Sequence, residues 1–277
     1  MSLKSLAILA AGAASVNAHG VILDIVSAGK EYGGWDVNYQ YYNPVPKVAA
    51  WAAGGYGHGP IVGTQYASTS INCHDDAKAA PIYMEAAAGS DIEISWGTPG
   101  SNPSPWPESH KGPIITYMAP CGTDATGDCT TVLPDDLGWT KVYQTGLLTG
   151  GDTSAQVWAT DKLISENKTT VTIPSALAPG NYVMRHEIIA LHAGGEVNGP
   201  QNYPQCYNVK VTGSGSEKLP AGTKGVKLYA PEDTVFNIYA NIDSYPFPGP
   251  ELWSGASSSS GAGANTTTKR WARTFRG

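Results

Sequence analysis

The chain has 277 residues, a length that fits one large domain or two small ones. Hydrophobic residues make up 41% of it and charged residues 14%, which provides enough apolar material for a sizeable core under a polar surface with few charges. The formal net charge is −6 and no basic run stands out, so the composition argues against a nucleic-acid partner.

The chain begins with a pattern typical of secretory signal peptides. A short positive start ending at Lys4 is followed by an apolar, Ala-rich run over residues 6–16 and by small residues at the Val16-Asn17-Ala18 cleavage pattern. This run is too short to span a bilayer, and no later stretch is long enough either. The sequence therefore predicts a signal peptide at residues 1–18, a secreted extracellular protein without a membrane segment, and His19 as the mature N-terminus.

The mature chain consists of many short runs typical of β-strands, each bounded by Gly, Pro, Ser or Asp clusters. These runs cover residues 21–26, 91–96, 114–118, 170–173, 181–192, 207–211 and 235–239. Such a pattern predicts an all-β fold, an antiparallel β-sandwich of immunoglobulin or fibronectin-III type. Segments 30–70 and 135–165 are predicted as long loops with short helices.

Two domain boundaries follow from a change in composition. Residues 19–250 show no break and are predicted to form one catalytic domain. Residues 251–277 are predicted to be a flexible tail, because Ser, Gly, Ala and Thr dominate the stretch between Ser254 and Lys269. No separate carbohydrate-binding module is predicted.

Four cysteines in the mature chain indicate disulfides, because a secreted protein folds in an oxidising compartment. They allow three pairings. Cys121 and Cys129 bracket a Gly-rich segment that can close on itself, which would leave Cys73 to pair with Cys206. Asn167 and Asn265 head N-glycosylation sequons.

His19 differs from the other five histidines because a mature N-terminal histidine offers two nitrogen donors to one metal. Its α-amino group and its imidazole can close a short chelate ring, and one further imidazole would complete a T of three nitrogens. Planar nitrogen donors favour Cu(II) over zinc, which prefers a tetrahedron. This reasoning selects the metal but does not select the second histidine.

Several motifs resemble the fungal lytic polysaccharide monooxygenases of auxiliary-activity family 9, formerly glycoside hydrolase family 61. They run in order over nearly all of the mature domain, from His19 to about Pro250. The matching stretches are HGVILDIVSAGKEYGGWDVN at residues 19–38, NCH at 72–74, PWPESHKGPIITYMAPC at 105–121, APGNYVMRHEIIALH at 178–192 and QNYPQCYNV at 201–209.

The resemblance implies one copper ion per chain, held by His19 and His110 with Tyr203 as an axial oxygen neighbour. It implies a hydrogen-bonding role beside the copper for His192 and Gln201. The same resemblance implies an immunoglobulin-like sandwich and the disulfides Cys73–Cys206 and Cys121–Cys129. His186 is expected to pack or bond within the fold, His74 is expected to be structural, and His58 has no assigned role.

The resemblance also implies a reaction and its partners. The enzyme would take electrons from an external donor, a small-molecule reductant or cellobiose dehydrogenase, and use O2 or H2O2 to oxidise carbon 1 or carbon 4 of a glucosyl unit. The partner is crystalline cellulose or a related β-glucan, and the protein is expected to be a monomer. Such a substrate requires a flat face with aromatic rings that stack on sugars. The candidates are Tyr42, Tyr245 and, as a weaker third, Tyr32.

Two other functions were weighed against this one. A hydrolytic endo-β-1,4-glucanase needs two carboxylates at a defined separation, and no such pair can be read from the sequence. A non-catalytic copper-binding or carbohydrate-binding protein would leave His192, Gln201 and Tyr203 without a use. A zinc peptidase is rejected, because the residue four positions after His186 is Ala190 rather than a second histidine.

Overall fold

The computed structural model describes residues 20–54, 59–98 and 103–256. The predicted signal peptide at residues 1–18, His19, His58, Asn265 and most of the predicted tail lie outside these ranges, so the domain boundaries remain predictions. None of the helices within the described ranges combines the length and the apolar character needed to cross a membrane.

Short strands with long connections make up most of the described structure. The strands are β1 (Val21–Ser27), β2 (Lys30–Gly33), β3 (Met84–Ala87), β4 (Asp91–Thr98), β5 (Ser104–Pro105), β6 (Ile114–Pro120), β7 (Gly138–Thr145), β8 (Leu147–Thr149), β9 (Val157–Trp158), β10 (Thr169–Thr172), β11 (Gly180–Ala190), β12 (Gln201–Thr212) and β13 (Thr223–Lys224). The helices are α1 (Ser70–Cys73) and α2 (Ala159–Glu166), with 3-10 turns at Val37–Tyr41, Gly63–Gln65, Pro134–Asp136, Gly225–Lys227 and Pro231–Thr234.

Two sheets pack face to face, which confirms the predicted β-sandwich. One has the order β10-β4-β1-β2 with β5 beside β4, and the other has the order β13-β7-β6-β11-β12-β3. The pairings in these two sheets are antiparallel except β12 with β3. Apolar side chains from both sheets fill the space between them, including Ile25 and Ile94 from one sheet and Met184 and Tyr207 from the other.

A second apolar cluster covers the outer face of the larger sheet. Trp51 from a loop and Ile71 from α1 pack there against Tyr117, Val183 and Ile189. Consequently β11 is buried on both faces, with its even positions toward the sandwich interior and its odd positions toward the loop layer.

The structure differs from the predicted elements in several places. The strand predicted at residues 235–239 is wrong: the segment is irregular there, and the Asn237 side chain accepts a hydrogen bond from the Tyr239 amide and closes a local turn. Conversely, β7 lies within the predicted loop 135–165. Its apolar signal is weak because Thr140 and Lys141 are buried in the middle of the strand.

Both disulfides implied by the resemblance are present. Cys73–Cys206 joins α1 to the centre of β12 across 133 residues, and Cys121–Cys129 closes a loop of 8 residues after β6. The long-range bridge ties the outer loop layer to the larger sheet, because α1 belongs to that layer and β12 to the sheet.

Sheet register gathers three chain segments at one end of the sandwich. Ile188 pairs with Ile114 and Ala190 pairs with Gln201, so the start of β6, the end of β11 and the start of β12 lie side by side. In the other sheet, the start of β1 pairs with the end of β4. The Ile22 amide donates to Oε1 of Gln205 at 3.0 Å and joins the two sheets at this end.

Candidate metal centre

His110 lies in the loop before β6 and is 4% exposed. Its backbone amide donates to the Pro107 carbonyl at 3.0 Å, and its own carbonyl accepts from Nε1 of Trp106 at 3.0 Å. The ring nitrogen Nδ1 lies 3.0 Å from Oγ of Ser109. The other nitrogen, Nε2, is buried and has no hydrogen-bond partner among the residues that the structure describes. Such an atom requires a partner from elsewhere.

His192 stands directly beside His110. The two ring centroids are 4.1 Å apart with an interplanar angle of 36°. His192 was predicted within the strand 181–192, but β11 ends at Ala190, and the histidine therefore lies in the turn that follows. Its Nδ1 is also buried without a partner inside the described ranges.

Both histidines favour the neutral form that can donate a lone pair. Burial, followed by the neighbouring His192, lowers the pKa of His110 to about 4. Burial also lowers the pKa of His192. In the tautomer that donates from Nδ1 to Ser109, the Nε2 of His110 presents its lone pair, which is the form a metal requires.

Tyr203 and Gln201 stand on β12 at the same end of the sheet. The Tyr203 hydroxyl donates to Oε1 of Gln201 at 2.8 Å, and the Tyr203 ring centroid lies 6.4 Å from that of His110. Burial raises the pKa of the Tyr203 phenol, so the hydroxyl stays protonated. The structure thus brings His110, His192, Gln201 and Tyr203 together.

Gly20, the first residue that the structure describes, lies at this cluster. A methyl group built on Gly20 would lie 2.2 Å from Cζ3 of Trp106, so the Gly20 backbone is in contact with that ring. Trp106 in turn touches His110 and Tyr203, at centroid distances of 5.8 and 5.1 Å. Within residues 20–54, 59–98 and 103–256, no three His, Cys, Asp or Glu side chains are placed to hold a metal. A complete site therefore needs a donor beyond these ranges.

His186 and His74 are buried parts of the fold. His186 is fully buried in the sandwich interior, where Nδ1 lies 2.8 Å from Oγ1 of Thr116 and the ring packs on Trp96. His74 accepts from the Asp75 amide at 2.9 Å and lies 2.7 Å from the Gly59 carbonyl. Both placements agree with the structural roles expected from the sequence.

His186 is expected to make the copper-free protein less stable as the pH falls. Burial, reinforced by the charge of Arg185, lowers the pKa of His186 to about 3. The unfolded histidine titrates near 6.5, so below that pH the unfolded chain takes up a proton that the folded chain refuses. The stability advantage of the native protein over His186→Phe should shrink by about 2 kcal/mol between pH 5.5 and 4. Urea unfolding of both proteins measures this, and a difference independent of pH would contradict it.

Comparison with known families identifies the chain. The model of Auxiliary Activity family 9 (formerly GH61) matches residues 19–246. The chain belongs to this family.

Its relatives are lytic polysaccharide monooxygenases of the same family. It is 47% identical to lytic polysaccharide monooxygenase B of Aspergillus tamarii over 93% of this chain and 67% of that protein. It is 46% identical to lytic polysaccharide monooxygenase B of Aspergillus fumigatus over 91% of this chain and 97% of that protein. The extended catalytic domain of H. jecorina LPMO9A is 41% identical, with a TM-score of 0.78 and coverage of 90% and 97%. The chain is a lytic polysaccharide monooxygenase, as the motifs predict.

The tyrosines predicted on the substrate face of this monooxygenase divide into exposed and buried ones. Tyr42 is 55% exposed, and its ring packs edge-on against Tyr39. Tyr32 and Tyr245 are only 7% and 9% exposed, so neither ring can stack on a sugar, and these two predictions are wrong. Tyr32 belongs to the sandwich core, and its hydroxyl accepts from the Glu85 amide at 3.2 Å.

Tyr245 is held in an aromatic cluster beneath the surface. Its ring lies 5.0 Å from Phe236, 5.2 Å from Phe247 and 5.4 Å from Trp158, with edge-to-face geometry in each case. These three contacts surround the Tyr245 ring with other aromatic side chains and keep it 9% exposed. Its sequence context, DSYPFPGP, indicates an irregular segment but not which aromatic side chain turns inward.

Two residues that contact the histidine pair were not singled out from the sequence. Tyr239 is 62% exposed, and its hydroxyl donates to the His192 carbonyl at 3.0 Å, so an open ring stands next to the histidine pair. It was hidden in the wrongly predicted strand. Trp106 lies in the PWPESH motif, between two prolines and four residues before His110. That position could have indicated a contact with His110.

Proposed function

We propose that this monooxygenase binds one copper ion through the amine and imidazole of His19 and Nε2 of His110, and cleaves β-1,4-glucosidic bonds of cellulose oxidatively. The observation that carries the proposal is the buried Nε2 of His110, which has no partner within the described part of the chain. The Trp106 ring that packs on His110 also contacts Gly20, the first described residue. A metal ion is the partner that the lone pair of a neutral imidazole nitrogen suits best.

The proposal requires His19 to reach this cluster from the position directly before Gly20. Consecutive Cα atoms lie about 3.8 Å apart, so residue 19 must start next to the Gly20 backbone that contacts Trp106. Cleavage of the predicted signal peptide after Ala18 would add the free α-amine that completes the chelate. Two imidazoles and one amine are a neutral nitrogen set, and this set fits copper.

Bound copper would supply the one-electron and oxygen chemistry that side chains cannot carry out. The chain itself holds a neutral His110 ring in place through Ser109 and the Trp106 bond. His192 offers a second neutral imidazole 4.1 Å away in centroid distance, suited to hold or pass a proton beside the metal. Tyr203, kept protonated and bonded to Gln201, would offer a neutral hydroxyl beside the metal without adding a negative charge.

The finer features of the reaction belong to the same proposal. The enzyme would be secreted after removal of residues 1–18, act as a monomer with residues 251–277 as a flexible tail, and carry glycans at Asn167 and Asn265. It would take electrons from a small-molecule reductant or cellobiose dehydrogenase, use O2 or H2O2, and oxidise carbon 1, carbon 4 or both. Asn167 is exposed in the turn after α2, which suits a glycan.

Mass spectrometry of products from crystalline cellulose, incubated with the mature protein, copper and ascorbate, tests this function. Aldonic acids or 4-ketoaldoses that require the reductant would support oxidative cleavage and would also reveal the carbon attacked. Plain cello-oligosaccharides formed without reductant would contradict it and favour a hydrolytic glucanase.

Tyr239 is proposed to stack on a glucose ring next to the copper. Tyr239→Ala should weaken binding to cellulose roughly 3- to 10-fold, because an aromatic contact contributes about 0.5–1.5 kcal/mol beyond its buried area. Tyr239→Phe keeps the ring, loses only the bond to the His192 carbonyl, and should retain most of the affinity. Tyr42→Ala is expected to behave like Tyr239→Ala.

Leu133→Ala serves as the control in these pull-down measurements with microcrystalline cellulose. Leu133 is 64% exposed and lies shortly after the Cys121–Cys129 loop, at the opposite end of the sheet from His110. Its substitution should leave binding unchanged. Equal losses for the tyrosine and Leu133 variants would contradict a defined substrate face around the histidines.

A further inference from the structure

Trp106 contacts three chain segments that meet at the proposed metal centre. Its Nε1–H donates to the His110 carbonyl at 3.0 Å, and its six-membered ring presses against Gly20, the residue after His19. Its ring also packs edge-on against Tyr203 at 5.1 Å. The side chain is 2% exposed, so these contacts fix it on several sides.

These three segments come from different parts of the sandwich. Gly20 leads into β1 of the smaller sheet, Tyr203 lies on β12 of the larger sheet, and His110 belongs to the loop before β6. A chelate that combines the N-terminal residue with His110 requires donors from two sheets at a fixed separation. The packing of the two sheet cores does not by itself fix that separation. Trp106 lies between the segments and is placed to fix it.

We propose that Trp106 is a positioning residue that sets the geometry of the copper centre by holding the N-terminal segment and His110 at a fixed separation. This inference rests on the proposed copper site. The indole acts as a spacer through its ring against Gly20, and as an anchor through its N–H bond to the His110 backbone. It touches no substrate and provides no ligand.

Trp96 provides a matched comparison. It is another buried tryptophan, 4% exposed, and packs edge-to-face on Trp106 at 5.5 Å. Its Nε1 has no hydrogen-bond partner within the described ranges, and its other ring contact is His186 rather than His110. Removing either indole perturbs the same core, but only Trp106 bonds to the backbone of a proposed ligand.

The experiment uses the mature protein loaded with Cu(II) and compares Trp106→Phe, Trp96→Phe and Gly20→Ala with the native protein. Electron paramagnetic resonance reports the copper geometry, and calorimetry reports the Cu(II) affinity. Trp106→Phe should change the spectrum and weaken binding about tenfold or more, the range found when groups that support metal ligands are removed. Gly20→Ala should do likewise with the indole intact, because the added methyl group would lie 2.2 Å from Trp106.

Trp96→Phe should keep the native spectrum and an affinity within about twofold, even where its thermal stability falls. Circular dichroism establishes that each variant is folded. A native spectrum in Trp106→Phe, or equal changes in Trp106→Phe and Trp96→Phe, would overturn the positioning role and leave the copper proposal standing. A native protein that binds no copper would instead overturn the proposed function itself.

Discussion

His110→Ala is expected to abolish tight copper binding and the formation of oxidised products while leaving a folded domain. The substitution removes the buried Nε2 that has no partner in the described part of the protein, so it deletes a proposed ligand without breaking a hydrogen bond of that atom. The backbone bonds of His110 to Pro107 and Trp106 do not depend on its side chain and should persist. Calorimetric titration with Cu(II) measures copper binding, and circular dichroism shows whether the domain remains folded.

His192→Ala is the control, because this residue is a neighbour rather than a proposed ligand. Its ring stacks at 4.1 Å from that of His110, and its loss should reduce product formation while copper still binds. Extending the mature N-terminus by one residue should reproduce the His110→Ala result, since it moves the chelating amine away from the metal. Undiminished copper affinity in His110→Ala would exclude this histidine as a ligand.

Much of the fold was predictable because strand signals depend on local sequence. The runs that became β1, β4, β6 and β11 are apolar or alternating and are bounded by turn residues. β7 was not predictable, because its buried Lys141 donates to the Pro248 carbonyl at 2.9 Å, a partner 107 residues away. A charged residue in the middle of a strand signals burial only when such a distant acceptor is known.

The candidate metal centre could be predicted only where motifs mark its residues, and the exposure of the aromatic side chains around it could not be predicted. His110 and Tyr203 lie in motifs that specify a site, whereas the exposure of a tyrosine depends on loops packed above it. Tyr245 and Tyr239 lie six residues apart in the same segment, yet one is enclosed by three aromatic rings and the other is open. The buried partners of Tyr245 include Trp158, far away in sequence, so no local pattern records the difference.

A buried ion pair lies between the larger sheet and the loop layer that covers its outer face. Arg185 and Glu187 stand two residues apart on the outer face of β11, both with 0% exposure, and form a bidentate salt bridge. The Arg185 guanidinium also donates to the backbone carbonyls of Ile71 and Asn72 in α1, at 2.8 and 2.9 Å. The pair therefore attaches the outer layer to the sheet.

Glu187 links the same network to the strand that carries the site. Its carboxylate accepts from Nδ2 of Asn202 at 2.8 Å and from the Tyr229 hydroxyl. Asn202 lies between Gln201 and Tyr203 on β12, so the buried carboxylate fixes the strand on which both site residues stand. Burial, followed by the Glu187 charge, raises the pKa of Tyr229 and keeps it a donor.

Glu187→Gln is therefore expected to lower the free energy of unfolding by about 3–5 kcal/mol, because it leaves the Arg185 charge buried without its counterion. Asp124→Asn is the matched control: it neutralises the carboxylate of the Lys218–Asp124 pair, which is 2.7 Å long but 71% and 53% exposed. Such an exposed pair contributes at most about 1 kcal/mol. The double variant Arg185→Met/Glu187→Leu should recover part of the loss, since it removes both charges together. Urea unfolding of the native protein and the three variants measures these free energies. A loss for Glu187→Gln no larger than that for Asp124→Asn would contradict the prediction, because it would mean that water reaches Arg185 and compensates its charge.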